Sequence, residues 1–309
     1  MKTIKIGSRD SALAMWQTEF VIKCLKEKTN EYEFEIVPIK TKGDKILDVS
    51  LAKVGDKGLF TKELEAAMLN GETDMAVHSM KDVPTELVDG LCIGAILERE
   101  NPADVLISPK GYTFATLPQK AKVGTSSLRR KAQILHLRPD LNICDIRGNL
   151  NTRMRKMEEE NFDALILAAA GVIRMGWEDK ISEYLSFDTS LPAVSQGAIG
   201  IECRENDTEI LSLVKLIHDE MTAACVYAER ALLQALEGGC QIPIAAYGTI
   251  EENILTLNGL VGSLDGTTII RGGKKGPISE NVQLGKDLAE ELKKQGAMEI
   301  LAQIRQELK

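Results

Sequence analysis

The segment AKVGTSSLRRKAQILHL, residues 121–137, passes from a short apolar strand through a turn into an amphipathic helix. The turn supplies three hydroxyl groups that can cap the helix, those of Thr125, Ser126 and Ser127. Arg129 and Arg130 follow in the first helical turn. A strand that leads directly into a helix is the unit from which α/β folds are assembled, so this segment predicts an α/β fold.

The same alternation of strands and helices runs through the first two-thirds of the chain. Helices are predicted for SALAMWQTEFVIKCLKEK (11–28), with Ser11 near its N-cap, and for TKELEAAMLNG (61–71). Further strands are predicted at 3–8, 32–40, 74–80, 91–97, 142–148 and 164–170. This order predicts parallel-rich sheets that are covered by helices.

The pattern changes in the last quarter of the chain. Three strands joined by turn residues precede two helical stretches, and these strands lie at 244–250, 254–263 and 267–273. They predict a C-terminal α+β domain with a small antiparallel sheet. A domain boundary is expected near ERENPAD (98–104). LPAVSQGAIGIECREND (191–207) is expected to form a loop and another strand, and to contain a crossing between domains.

Composition and charge exclude several classes of protein. The chain has 309 residues, 44% hydrophobic and 27% charged, as expected for a soluble protein of two or three domains. No apolar run approaches the ~18 residues of a membrane helix, and the N-terminal segment lacks the pattern of a signal peptide, so we expect a cytoplasmic protein. The formal net charge of −8 disfavours a general nucleic-acid binder. The six cysteines form no C-x-x-C pair and the three histidines show no ligand spacing, so neither disulfides nor a bound metal is expected.

Residues 40–60 form a lysine-rich segment with three glycines and no sustained period. A loop of this length inside a compact domain is commonly functional or disordered. One interpretation is a solvated surface loop. The other is a lid that carries Lys53 and Lys57 over an anionic site.

Arginines recur where predicted strands pass into helices, at Arg9, Arg129, Arg130 and Arg147. A helix N-terminus carries partial positive charge and disfavours a cation by ~0.3–1 kcal/mol. Arg129 has no acidic residue three or four positions later, so no ion pair within its helix relieves it. We therefore predict that a carboxylate or phosphate binds at these corners, the junctions between a strand and the following helix. The alternative is a solvated basic surface.

Two further arginines follow Arg147 at an interval of two residues, which points them to nearly opposite sides of a helix. Arg155 has Glu158 and Glu159 three and four positions later and is predicted to form an ordinary surface ion pair. Arg153 has no acidic residue at those positions. We assign Arg153 to the anion site and leave Arg155 out.

Two other residues can carry chemistry. Asp82 lies in DMAVHSMKDVP (74–84), just after a predicted strand, where it could act as an acid or base, although the pattern alone favours a turn former. Cys240 lies in LEGGCQIPIA (236–245), between two glycines and a proline. This thiol on a constrained corner could be a nucleophile, an attachment point or a loop residue.

Seven motifs between residues 7 and 245 together resemble those of the porphobilinogen deaminase family, also called hydroxymethylbilane synthases. In chain order they are GSRDSALAMWQ, KGLFTKELE, AVHSMKDVP, VGTSSLRR, RGNLNTR, LPAVSQGAIGIECR and LEGGCQIPIA. The remaining C-terminal residues match only in general character. The resemblance implies an α/β protein of three domains, the first two similar to the lobes of periplasmic binding proteins, with the active site in the cleft between them. The domains expected are 1–98 with 198–217, then 99–197, then an α+β domain of 218–309 that carries Cys240.

The resemblance also implies the activity. Enzymes of this family condense four porphobilinogen molecules head to tail, with loss of ammonia, and hydrolyse the product to hydroxymethylbilane for tetrapyrrole (haem) biosynthesis. The chain grows on a dipyrromethane cofactor, one per polypeptide, which a thioether bond would attach to Cys240. We expect a monomer without nucleic-acid or membrane partners.

Matching the motifs residue by residue implies a set of site residues, with Asp82 as the catalytic aspartate. The cofactor-binding set is Ser11, Lys57, Asp82, Thr125, Ser126, Ser127, Arg129, Arg130, Arg147, Asn149 and Cys240. The substrate-binding set is Arg9, Ser11, Arg147 and Arg153.

One departure from the family's pattern is Ser195, at a position where glycine is commoner. The alternative function is that of a two-lobed intracellular anion-binding protein without turnover, which would need neither Asp82 nor Cys240. A phosphate-transferring enzyme is disfavoured because the chain has no G-x-x-x-x-G-K-[ST] loop.

Overall fold

The computed structural model describes residues 2–45, 58–237 and 242–307. These residues fall into two compact units. The first comprises the described residues up to Glu100 together with Gly197–Ala223, and the second comprises Asn101–Gln196 and the described residues from Ala224 onward.

The secondary structure of the described residues follows the predicted alternation. The strands are β1 Lys2–Arg9, β2 Tyr32–Ile39, β3 Met75–Ser79, β4 Leu91–Ile96, β5 Asp104–Ile107, β6 Lys122–Gly124, β7 Asn142–Cys144, β8 Ala164–Ala168, β9 Glu183–Tyr184, β10 Ile199–Arg204, β11 Ile244–Glu251, β12 Ile254–Gly262 and β13 Ile269–Pro277. The helices are α1 Ala12–Lys26, α2 Lys42–Lys45, α3 Lys62–Leu69, α4 Leu128–Leu137, α5 Leu150–Glu159, α6 Ala169–Arg174, α7 Thr208–Lys215, α8 Glu220–Ala235, α9 Asn281–Lys294 and α10 Ala297–Glu307.

The first unit is built on a five-stranded sheet with the order β2-β1-β3-β10-β4. β1 is parallel to β2 and β3, whereas β10 is antiparallel to β3 and β4. Apolar side chains of α1, such as Val21 and Leu25, pack with Ile4, Ile6 and Val77 of the sheet to form its core. The predicted N-cap is confirmed, because the Ser11 side chain accepts a hydrogen bond from the backbone N–H of Ala14 at 3.4 Å.

The second unit contains a five-stranded sheet with the order β7-β6-β8-β5-β9. β6 is parallel to β7 and β8, and β5 is antiparallel to β8 and β9. The two sheets therefore share one pattern, and both are mixed. The prediction of parallel-rich sheets was right for half of the strand pairs. It missed the strands β5 and β9, which have only four and two residues and are too short to show a strand pattern in the sequence.

The C-terminal sheet, β11-β12-β13, is antiparallel throughout, which confirms the predicted α+β arrangement. Helices α8, α9 and α10 contribute to the apolar core of this part of the second unit. Leu232, Leu257, Leu288, Leu292 and Leu301 form part of this core, and all five are fully buried. The fold class is therefore α/β with a C-terminal α+β element.

Ser195 combines two locally unfavourable features. Its φ angle of 63° lies in the left-handed region, which costs a side chain other than glycine about 1–2 kcal/mol. Its side chain is fully buried, and the Oγ atom has no hydrogen-bond partner among the described residues. The backbone N–H is satisfied, because it donates to the Glu229 carboxylate at 2.6 Å.

We expect Ser195→Gly to stabilise the protein. Glycine adopts the left-handed backbone without strain and removes the unpaired hydroxyl, while its greater freedom in the unfolded chain offsets about 0.5–1 kcal/mol of the gain. A thermal melt should show the Tm rising by about 2–4 °C, the response of a large domain to roughly 1 kcal/mol. Ser195→Ala, which removes the hydroxyl and keeps the strained backbone, should melt below the glycine variant. A glycine variant that melts at or below the wild-type temperature would contradict this account.

Candidate functional site

In the first unit, site residues collect at the carboxyl ends of neighbouring parallel strands. Arg9 is the last residue of β1, and Asp82 ends the 3-10 turn Met80–Asp82 that follows β3. β1 and β3 are adjacent and parallel, so both residues lie at one edge of the sheet. This edge is where open α/β sheets bind ligands.

Asp82 does not shape its turn through its side chain. The turn is closed by the backbone, because the N–H of Val83 donates to the carbonyl of Met80 at 3.3 Å. The half-buried Asp82 carboxylate accepts no hydrogen bond from any residue that the structure describes. A carboxylate without an internal partner suits a group that receives donors from a ligand.

Arg9 is already engaged within the first unit. Its guanidinium forms a two-point ion pair with Asp44 and lies over the ring of Phe60, 4.2 Å from the ring centroid. Burial alone would raise the pKa of Asp44, but hydrogen bonds from Arg9 and Thr41 outweigh it and lower that pKa. Arg9 would therefore have to share its donors, or exchange Asp44, in order to bind an external carboxylate.

In the second unit, Ser126 joins two of the predicted corners. Its hydroxyl donates to the carbonyl of Ile146 at 2.8 Å and accepts from the backbone N–H of Ile146 at 3.0 Å. The loop after β6 and the loop after β7 are thus held together at one end of the sheet, as expected for adjacent parallel strands.

Of the three hydroxyl groups predicted to cap α4, that of Ser127 has this role, whereas that of Thr125 bonds within the turn. The cap of α5 by an amide side chain was not predicted. Ser127 is the N-cap of α4 and accepts from the N–H of Arg130 at 3.4 Å, and the Thr125 hydroxyl accepts from the N–H of Ser127 at 3.2 Å. Asn149 is the N-cap of α5 and accepts from the N–H of Thr152 at 2.9 Å.

Arg129 and Arg130 do have an acidic partner on the chain, so the expectation that only an external anion could relieve them is wrong. Asp104, the first residue of β5, is fully buried and pairs with both, at 2.8 Å from Arg129 Nη1 and 2.7 Å from Arg130 Nη2. The two arginines are 4% and 6% exposed. Burial alone would raise the pKa of Asp104, but the charges of the two guanidinium groups outweigh it and hold that pKa far below its usual range.

The cluster nevertheless keeps an excess of positive charge and of donors. Two guanidinium groups face one carboxylate, so the three groups together carry a net charge of +1. Arg130 uses its donors on Asp104 and on the carbonyl of Ile166, while the buried Nε groups of both arginines have no acceptor among the described residues. An anionic group would complement this excess.

Arg147 and Arg153 follow β7 and differ in their surroundings. Arg147 is half-buried, which lowers the pKa of its guanidinium, and it has no hydrogen-bond acceptor within the described ranges. Arg153 is not unpaired as the sequence suggested, because its Nε donates to the carbonyl of Gly148 at 2.9 Å. The surface pair predicted for Arg155 is confirmed, with Glu159 at 3.4 Å.

Sequence reasoning missed Asp104 as a structural partner. Asp104 is the last residue of the segment 98–104, which was interpreted as a domain boundary, but it is also the first residue of β5 (Asp104–Ile107). The available signal in the sequence was a single charged residue directly before the apolar residues of this buried strand. The arginines that it contacts lie about twenty-five positions later, and sequence alone does not show that pairing.

Lys57 and Cys240 lie outside the described residues. Within the described ranges, His, Cys, Asp and Glu side chains form no cluster suited to hold a metal ion. No helix among those residues is long and apolar enough to span a membrane.

Strand ends that present arginines, hydroxyl groups and an unpaired carboxylate define an α/β protein suited to an anionic ligand with N–H groups. The sequence model of "Porphobilinogen deaminase, dipyromethane cofactor binding domain" matches residues 4–212, and that of "Porphobilinogen deaminase, C-terminal domain" matches residues 223–294. The chain belongs to the porphobilinogen deaminase family.

Relatives match over nearly their whole length. The porphobilinogen deaminase of Carboxydothermus hydrogenoformans is 60% identical over 306 residues, which cover 99% of this chain and 98% of that protein. The porphobilinogen deaminase of Desulforamulus reducens is 54% identical over 302 residues, which cover 98% of each.

Solved structures with a more distant likeness include two periplasmic proteins. The periplasmic VFT2 domain of Bordetella pertussis BvgS is 16% identical, with a TM-score of 0.42, over 70% of this chain and 86% of that one. An arginine-specific periplasmic binding protein of Salmonella typhimurium is 14% identical, with a TM-score of 0.39, over 74% and 97%.

The described residues fit the dipyrromethane cofactor after which the family's first domain is named. The excess positive charge at Arg129 and Arg130 suits the acetate and propionate groups of pyrroles, and so does Arg147, whose guanidinium has no hydrogen-bond acceptor within the described ranges. Asp82 offers an acceptor for pyrrole N–H groups.

Proposed function

We propose that this chain is a hydroxymethylbilane-forming porphobilinogen deaminase. It condenses four porphobilinogen molecules in sequence, releases ammonia at each step, and hydrolyses the linear product from the protein as hydroxymethylbilane. The observation that carries this proposal is the family match over 99% of the chain, in a sequence that contains both Asp82 and Cys240.

The cofactor assignment completes the proposal. Cys240 forms the thioether bond that anchors dipyrromethane, which supplies the pyrrole carbon to which the first substrate is joined. The residues that would hold the cofactor are Ser11, Lys57, Asp82, Thr125, Ser126, Ser127, Arg129, Arg130, Arg147 and Asn149.

The arginines bind carboxylates, and each pyrrole ring brings two. Arg129 and Arg130 retain donors beyond those that Asp104 occupies, and Arg147 has all of its donors available within the described ranges. Arg9, Ser11, Arg147 and Arg153 bind the incoming substrate. The hydrogen bond from Arg153 Nε to the carbonyl of Gly148 supports this assignment, because it restricts the orientation of the guanidinium.

Asp82 has the role that depends most on charge. Its carboxylate accepts hydrogen bonds from pyrrole N–H groups of the substrate and stabilises the positive charge that develops as ammonia departs. This role agrees with a half-buried carboxylate that has no partner among the described residues.

The proposal includes three domains, at 1–98 with 198–217, at 99–197 and at 218–309. It also includes a cytoplasmic location, a monomeric state and the absence of a nucleic-acid partner. The competing proposal, an anion-binding protein without turnover, accounts for the arginines but gives no role to Asp82 or Cys240.

Incubation of the purified protein with porphobilinogen tests the two proposals. A deaminase consumes porphobilinogen and releases one ammonia for each molecule consumed. A binding protein would retain porphobilinogen unchanged, and that result would overturn the proposed function.

A further inference from the structure

Asp104 occupies an unusual position for a charged residue. It is 0% exposed at the start of β5, and the other three residues of that strand are apolar. Burial of a carboxylate is costly unless it is fully paired, so its surroundings must compensate it.

The compensation comes from four side chains of the second unit that converge on one carboxylate. Oδ1 accepts from Arg130 Nη2 at 2.7 Å, from Gln196 Nε2 at 2.9 Å and from Arg129 Nη2 at 3.3 Å. Oδ2 accepts from Ser190 Oγ at 2.7 Å and from Arg129 Nη1 at 2.8 Å. Both oxygens are therefore saturated, and both guanidinium planes are fixed by one group.

A second set of contacts holds the same helix in place. Gln133 of α4 accepts from the backbone N–H of Leu191 at 2.7 Å and donates to the carbonyl of Leu191 at 3.1 Å. That carbonyl also accepts from Arg129 Nη1 at 2.6 Å. The segment around Ser190 and Leu191 thus holds α4 in place through contacts with Arg129 and Gln133.

Arginine has a long, flexible side chain, and its guanidinium group must be oriented before it can form two hydrogen bonds to a carboxylate. A site whose groups are held in advance by neighbouring hydrogen bonds binds and reacts more efficiently than one that must order them on binding. Asp104 orients the guanidinium groups of both Arg129 and Arg130 and leaves some of their N–H donors unused.

We propose that Asp104 is a positioning residue, which orients Arg129 and Arg130 for the carboxylates of the pyrrole ligand without touching that ligand. This inference rests on the proposed function, because it assumes that the two arginines bind the dipyrromethane primer.

The test uses full-length variants purified without primer from cells that make no porphobilinogen. Each is then incubated with porphobilinogen, and the rate at which the intact mass increases by two pyrrole units is measured. Thermal melts accompany the loading rates, and KM and kcat are measured on loaded chains. Wild-type protein that never gains mass would refute the proposed function itself.

Asp104→Asn keeps the size of the side chain and removes its charge. We expect it to load primer about tenfold or more slowly than wild type, the effect of weakened charge-assisted hydrogen bonds, with a larger change in KM than in kcat. Loading of Asp104→Asn at the wild-type rate, while wild type loads normally, would overturn the positioning role alone.

Val105→Ala is the matched control for stability. Val105 is the next residue of β5, is 0% exposed, and points to the opposite face of the strand. We expect Val105→Ala to lower the Tm and to load primer at the wild-type rate. If Val105→Ala slows loading as much as Asp104→Asn does, the effect is one of stability and the inference fails.

Ser190→Ala keeps the inference testable if Asp104→Asn does not fold. It removes one neutral donor from Oδ2 and leaves both ion pairs in place. We expect loading to slow by about threefold, the effect of one such hydrogen bond. Unchanged loading by Ser190→Ala would then count against the positioning role.

Discussion

Asp82→Asn is expected to lower turnover by about 10²–10⁴, the usual contribution of a positioned acid–base group, while the protein remains folded. Asparagine preserves the size of the side chain but carries no negative charge. The turn itself is closed by the backbone of Met80 and Val83, so it should survive the change. Single-turnover kinetics on cofactor-loaded protein, beside a thermal melt, measures both effects.

Asp82→Glu serves as the graded control. The carboxylate is retained but displaced by one methylene, so activity should fall less than in the asparagine variant. If Asp82 only shapes the turn, Asp82→Asn will show both a normal melting temperature and a normal rate. That pair of results would remove Asp82 from the catalytic machinery.

Arg130→Leu is expected to slow cofactor assembly or elongation by about tenfold or more, because a ligand carboxylate loses a charge-assisted partner worth ~1.5–3 kcal/mol. The buried Asp104 keeps Arg129 as its partner in this variant, so one ion pair remains and the unit should still fold. Rates of primer loading and of porphobilinogen consumption measure the effect.

Arg155→Leu is the matched control for Arg130→Leu. Its side chain is 65% exposed and forms an ion pair with Glu159 on the helix surface, an arrangement that contributes ~0–1 kcal/mol. It should therefore load primer and turn over at close to the wild-type rate. If it proves as damaging as Arg130→Leu, the assignment of arginines by helix face is wrong.

The sequence predicted local units better than it predicted long-range partners. The run from Lys122 to Leu137 contains its own strand, its own caps and its own helical period, so it indicates β6, the Ser127 cap and α4 without reference to the rest of the chain. Adjacent parallel strands then bring the β6 and β7 corners together. This follows from sheet geometry and needs no knowledge of individual contacts.

The partners of the arginines could not be predicted in the same way. Asp104 lies twenty-five positions before Arg129, and Asp44 lies thirty-five positions after Arg9. These ion pairs depend on how strands and loops are placed in space, whereas helical spacing reports only neighbours three or four positions away. The Arg155–Glu159 pair was predictable because it obeys that spacing, and the bond from Arg153 to Gly148 was missed because a backbone carbonyl leaves no mark in the sequence.

The intact mass of the purified, active protein tests the central claim most directly. The account predicts a mass equal to the polypeptide plus two pyrrole units, with peptide mapping placing the addition on Cys240 in the GGCQIP segment. Cys240→Ser should lack the addition and the activity together. An active preparation whose mass equals that of the bare polypeptide would contradict the account.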